Sequence, residues 1–141
     1  MTPLIVPGTI DSLSSIATYI KQAATAAALD AKTAYKLRLA VDEIATNIIT
    51  HGYNEAALTG NITLSVEIDP SSLKIMIEDQ TAPFDPTQQN LPDAIELSRD
   101  LKERSIGGLG IYLALEGVDN YQYERVGGCN RNTLVIHLDN Q

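Results

Sequence analysis

The chain has 141 residues, 44% of them apolar and 20% charged, and carries a net charge of −8 at pH 7. That length suits one domain, 1–141, able to bury a core without disulfide staples, and no apolar run is long enough to cross a bilayer. The acidity argues against nucleic acid or an anionic membrane surface as a general partner, because both need clustered Lys and Arg.

The chain opens with Thr2 to Val6, a short strand ended by Pro7-Gly8. Residues Met1 to Gly8 show neither the basic start nor the apolar core of a signal peptide. Asp11 or Ser12 can cap a helix that carries Leu13, Ile16, Ile20, Ala24 and Ala27 along one face. The alanines from Ala23 to Ala31 favour helix and a close helix–helix contact. A second helix is expected from Asp30 or Ala31 to about Gly52, where the glycine is placed to end it. Its buried stripe is Leu37, Val41, Ile44 and Ile48, while Glu43, Asn47 and Thr50 or His51 share another face at three- and four-residue spacing.

Ile62, Leu64, Val66 and Ile68 alternate with Thr63, Ser65 and Glu67, the pattern of a half-buried strand. Asp69-Pro70-Ser71-Ser72 turns the chain, and Leu73, Ile75 and Ile77 run back to Asp79 as the second strand of a hairpin. From Thr81 to Ile106 the periodicity stops, broken by Pro83, Pro86 and Pro92, although Asp93 to Leu101 could form a short helix. Unpatterned stretches of that length in compact domains are usually functional lids or disordered segments. Leu109 to Val118 reads as a short apolar helix, and Tyr121 to Val126 with Thr133 to Leu138 as a last hairpin joined through Gly127-Gly128-Cys129-Asn130. Cys129 is the only cysteine, so no internal disulfide forms, and a reducing cytoplasm is the expected setting. Helices on one face of a mainly antiparallel sheet give an α+β, two-layer sandwich. A ligand would sit between the helices and a lid at about 81–106.

Three stretches carry chemistry. Glu43 and Asn47 are one helical turn apart; an amide oxygen is a hard, neutral ligand suited to Mg²⁺, and a neighbouring glutamate can take a proton from an attacking hydroxyl. On a helix alone, the same pair also reads as surface residues without a ligand. Asp79, at a strand end before Ala82-Pro83-Phe84, can accept a hydrogen bond from an exocyclic amine, with Phe84 and Ile77 lining a base slot, or can cap its own turn. Gly107-Gly108-Leu109-Gly110 opens a helix, where close backbone approach and exposed N–H groups favour phosphate, or is an ordinary flexible turn; Arg104 just before it could meet a terminal phosphate or stand as a solvated surface charge. His51, His137 and Cys129 show no metal-like spacing.

Together these stretches resemble the GHKL ATPase superfamily, and within it the small anti-sigma-factor serine/threonine kinases of the RsbW and SpoIIAB type. Leu37 through Tyr53 is similar to that family's N box, Asp79 through Phe84 to its G1 box, and Gly107 through Leu113 to its G2 box. The resemblance implies the GHKL (Bergerat) fold and a site for ATP and Mg²⁺. It gives Glu43 as catalytic base, Asn47 as Mg²⁺ ligand and Asp79 as the adenine holder, with phosphates at Gly107, Gly108, Leu109 and Gly110. Arg104 would be a lid cation, and Thr133 a strand hydroxyl supporting the adenine site. It further implies a homodimer that switches between a sigma factor and a small antagonist, phosphorylating the antagonist on Ser or Thr. One position departs from the pattern: the G1 box reads Asp-x-Gly in the family, and here the third residue is Thr81. A β-branched residue resists backbone shapes open to glycine, so weaker nucleotide binding or another loop path is expected. The alternative is a module that binds a partner with weak or no nucleotide.

Overall fold

The computed structural model describes residues 1–86 and 107–138. Most of the expected lid, the short helix at Asp93 to Leu101, and Arg104 lie outside the described residues.

Alternation of apolar and polar residues sets the sheet. Strands β1 (Leu4–Pro7), β2 (Asn61–Ile68), β3 (Ser72–Asp79), β4 (Asn120–Val126) and β5 (Cys129–His137) form one five-stranded sheet in the order β1-β2-β3-β5-β4. Every pairing is antiparallel. Successive side chains point to opposite faces, so Ile62, Leu64, Leu73, Ile75, Ile77, Leu134 and Ile136 bury one face together. The other face carries polar residues, among them Arg131, which pairs with Glu78 at 3.0 Å and Glu124 at 3.3 Å.

Helices cover the apolar face. A 3₁₀ turn at Ile10–Ser12 leads into α1 (Leu13–Ala26), whose Ile16, Tyr19, Ile20, Ala23 and Ala24 are buried. The chain reverses through Ala28, which takes a left-handed φ of 57°. The Asp30 carboxylate then caps α2 (Ala31–Asn47) by accepting from the Thr33 N–H at 2.7 Å. Leu37, Ala40, Val41, Ile44 and Ala45 of α2 complete one continuous core with the sheet and α1. The third helix, α3 (Gly107–Leu115), packs against α2.

Gly52 does not end the second helix. Past Asn47 the coil widens into a π-helix, Ile48–Asn54, a form that clusters at functional sites. Tyr53 anchors it. Its hydroxyl donates to the Asn61 carbonyl at 2.8 Å, and its ring lies so close to Gly8 and Gly60 that an added Cβ would stand 2.3 Å and 2.7 Å away. Glycine at both positions admits the ring, and the ring holds the widened coil on the sheet.

The last hairpin is tighter than its sequence suggested. The turn is Gly127-Gly128, with φ of 54° and 83°, the left-handed pair a two-residue hairpin requires. Strand β5 therefore begins at Cys129 rather than Thr133, and Asn130 and Asn132 lie within it.

Candidate functional site

Toward one end of the sheet the buried face changes character. Along β3 the row Leu73, Ile75, Ile77 ends in Asp79; along β5 the row Ile136, Leu134 continues as Asn132 and Asn130. These polar residues are as buried as the aliphatic ones, with Asp79, Asn130 and Asn132 only 2–3% exposed. They floor a cavity of about 200 Å³. Ile44, Asn47, Ile48, His51 and Gly52 form its helical wall, Thr81 to Phe84 its loop wall, and Ile111 of α3 also reaches it.

Buried polar groups are stable only when hydrogen-bonded, and Asn130 supplies most of the partners. Its amide nitrogen donates to Asp79 Oδ1 at 3.0 Å, Thr81 Oγ1 at 3.1 Å and the Ala82 carbonyl at 2.9 Å. Its oxygen accepts from the hydroxyl of Tyr123, from Arg125 Nη1 at 3.2 Å and from the Phe84 N–H at 3.4 Å. Arg125 Nη1 also donates to the Thr81 carbonyl at 2.7 Å. The loop from Asp79 to Phe84 is thus tied to the hairpin β4–β5 at several points.

Thr81 fits this loop without strain. It avoids the left-handed region, where Ala28 and Ala57 are the non-glycine residues found among the described residues. Its N–H and hydroxyl both donate to Asp79 Oδ1, at 2.9 Å and 2.5 Å. Its methyl fills space beside Gly52, where an added Cβ would stand 2.7 Å from Thr81 Cγ2. The bulk expected to disturb the loop is absorbed by a glycine on the facing π-helix.

Asp79 Oδ1 therefore accepts three hydrogen bonds, while Oδ2 accepts none among the described residues. A buried carboxylate oxygen without a donor, in a largely apolar cavity, suits a flat heterocycle that brings its own N–H. Asn47 faces the same cavity; its Nδ2 donates to the Glu43 carbonyl at 2.9 Å, leaving Oδ1 as an acceptor. Glu43 itself is half-buried on α2 and does not line the cavity wall. Its pKa is raised, first by desolvation and then by neighbouring Asp42. Among the described residues no group of three or more His, Cys, Asp or Glu could hold a metal. A cation at Asn47 would take its remaining ligands from water and phosphate, as Mg²⁺ commonly does.

The structure brings Asn47, Asp79 and Phe84 to one cavity, and Gly107 to Gly110 form the first turn of α3, which packs against α2. Phe84 is 38% exposed and lines the rim; Ile77 lies in the core instead of the slot. Thr133 is not at the cavity. Because side chains alternate along β5 and Leu134 points inward, Thr133 falls on the outward face with Arg131, and Asn132 occupies the inward position beside it. Sequence reading missed Asn130, Asn132 and the tyrosines bonded to them. Running the alternation of Leu134 and Ile136 back to the Gly-Gly turn would have placed both asparagines inward.

No helix among the described residues is long and apolar enough to cross a membrane. No curated protein matches the chain. Among solved structures, the histidine kinase domain of the Erythrobacter litoralis blue-light-activated histidine kinase is similar, with a TM-score of 0.56 and 19% identity. The alignment covers 91% of this chain and 60% of that one. Identity that low speaks for the fold alone: helices on one face of an antiparallel sheet. The profile of the histidine kinase-like ATPase domain spans residues 6–136, nearly the whole chain. The buried acceptor of Asp79 and the amide of Asn47 across the cavity fit the nucleotide that such domains bind, and the chain belongs to the histidine kinase-like ATPase domain family.

Proposed function

We propose that the chain is an ATP-dependent protein serine/threonine kinase that regulates transcription as an anti-sigma factor. In this reading it works as a cytoplasmic homodimer and alternates between holding a sigma factor and phosphorylating a small antagonist. The observation that carries the nucleotide part is the Oδ2 of buried Asp79, which accepts no hydrogen bond among the described residues and is set in a cavity that Asn47 and Phe84 also line. The partner-switching part rests on the N-box resemblance of Leu37 to Tyr53 and on the acidic surface, which suits a basic partner.

ATP would supply the phosphoryl group. Asp79 Oδ2 accepts the amine of the base, which guanine lacks at that position. Asn47 Oδ1 offers the hard oxygen that Mg²⁺ selects. The first-turn N–H groups of α3, Gly107 to Gly110, would hold phosphate, as a helix N-terminus does. Glu43, with its pKa raised by burial, holds its proton more tightly than an ordinary carboxylate and so serves as the base for an incoming Ser or Thr hydroxyl. Catalysis of this kind is positioning and charge stabilisation more than covalent chemistry.

The test is incubation of the purified chain with radiolabelled Mg-ATP and the antagonist recovered with it from the source cell. Labelled Ser or Thr is expected, and Glu43→Gln should abolish the label while ATP stays bound. Undiminished labelling by the variant removes Glu43 as base. A second reading has its own observation: Thr81 and Asn130 already occupy Asp79 Oδ1, which would suit a partner-binding module with weak nucleotide affinity. Absence of any thermal shift at millimolar ATP would favour it.

A further inference from the structure

Asn132 is 3% exposed and lines the cavity floor. Its oxygen accepts from the hydroxyl of Tyr121, on the neighbouring strand. Its Nδ2 donates to nothing among the described residues. A buried amide N–H without an acceptor is costly, and nothing in the core's packing calls for an asparagine where Leu134 and Ile136 follow it on the same face.

Position gives the orphan donor its meaning. Asp79 lies directly opposite Asn130 in the β3–β5 register, and Ile77 opposite Asn132. Asp79 and Asn132 are therefore diagonal neighbours on one face, a separation of roughly 7–8 Å between strands. Among the described residues the floor thus offers one free acceptor, Asp79 Oδ2, and one free donor, Asn132 Nδ2, side by side. The edges of adenine around its amine show the complement: an N–H donor flanked by ring nitrogens that accept. Guanine shows a carbonyl in place of the amine.

We propose that Asn132 is a second base-reading residue, donating from Nδ2 to a ring nitrogen of adenine next to the amine held by Asp79, with Tyr121 fixing the amide so that its NH₂ faces the cavity. This rests on the reading of the cavity as a nucleotide site. It assigns the strand's contribution to a directly donating amide at Asn132 in place of a hydroxyl at Thr133. Tyr121 suits its part: burial raises its pKa strongly, so the hydroxyl keeps its proton and remains a donor to Asn132 Oδ1.

The experiment is calorimetric titration of the full chain with Mg-ATP and with its 1-deaza and 7-deaza analogues, each lacking one ring nitrogen beside the amine. The wild-type protein should bind one analogue about tenfold more weakly than ATP, the worth of one lost hydrogen bond, and the other nearly as well as ATP. Asn132→Leu should weaken ATP by about the same factor and bind ATP and both analogues alike. Tyr121→Phe, which keeps the ring and frees the amide to turn, should lose part of the discrimination. Wild-type protein that binds ATP and both analogues equally overturns the assignment to Asn132 while leaving Asp79 and the nucleotide site in place. Discrimination that persists in Asn132→Leu does the same. Wild-type protein that binds none of the three overturns the nucleotide reading and this assignment together. The analogue comparison needs no variant, so a poorly folding Asn132→Leu does not blunt it.

Discussion

The two ends of one sheet face make different use of the same burial. At one end Leu73, Ile75, Leu134 and Ile136 are aliphatic, fully buried and packed under α1 and α2. At the other, Asp79, Asn130 and Asn132 continue the same rows with equal burial but are held by hydrogen bonds from Thr81, Tyr121, Tyr123 and Arg125. The aliphatic end gains from every buried atom. The polar end breaks even at best, and it leaves Asp79 Oδ2 and Asn132 Nδ2 without partners among the described residues. A fold gains nothing in stability from such atoms, so the difference marks where the sheet is built to hold something else.

Substitutions should separate the two ends. Ile75→Ala empties the dry end and should lower unfolding free energy by about 2–5 kcal/mol in urea titration, with nucleotide affinity of the remaining folded protein unchanged. Asp79→Asn should do the reverse. The substituted side chain keeps the oxygen that Thr81 and Asn130 bond and turns the free acceptor into a donor. Stability should hold or rise, while ATP binding falls by about a hundredfold on the scale where a tenfold change is about 1.4 kcal/mol. A parallel loss of both would show that Asp79 belongs to the fold more than to the cavity.

Gly52→Ala sharpens the boundary between the ends. The added methyl would meet Thr81 Cγ2 at 2.7 Å, and the overpacking should cost about 1–3 kcal/mol. In a Thr81→Gly background most of that cost should vanish, a coupling that a double-mutant cycle reads directly. Additive losses would mean the two residues do not share the space.

The smallest effect is at Glu43. Its raised pKa, from desolvation and then Asp42, means that the folded chain holds this proton more tightly than the unfolded one. The ionised form therefore weighs against folding at neutral pH, and the group's contribution improves as pH falls through the carboxylate range. Glu43→Gln should melt slightly higher than wild type near neutral pH, with the gap closing toward about pH 4. A variant less stable at neutral pH would contradict the assigned shift.

Much of the fold was legible because alternation and helical spacing are written in the side chains themselves. The hairpin at Asp69 to Ser72, the stripe from Leu37 to Ile48 and the start of the second helix near Asp30 or Ala31 all fall where the pattern puts them. The π-helix at Ile48–Asn54 was not legible, because the ring of Tyr53 that anchors it is wedged between Gly60 and Gly8, the latter distant in sequence. Local motifs singled out Asn47, Asp79 and Phe84, and all three line one cavity. Asn130 and Asn132 were not singled out, since polar residues beside a Gly-Gly turn look like loop until the register shows them facing inward. The fit of Thr81 was not legible for the same reason: its neighbour in space is Gly52, which no local pattern connects to it.

The central claim is that the polar end of the sheet reads an adenine. Side-by-side calorimetric titration of the wild-type chain with Mg-ATP and Mg-GTP tests it most directly. Saturable binding of Mg-ATP with Mg-GTP at least about tenfold weaker is the expected result. Equal affinity for the two, or no heat from either at millimolar concentration, would contradict it.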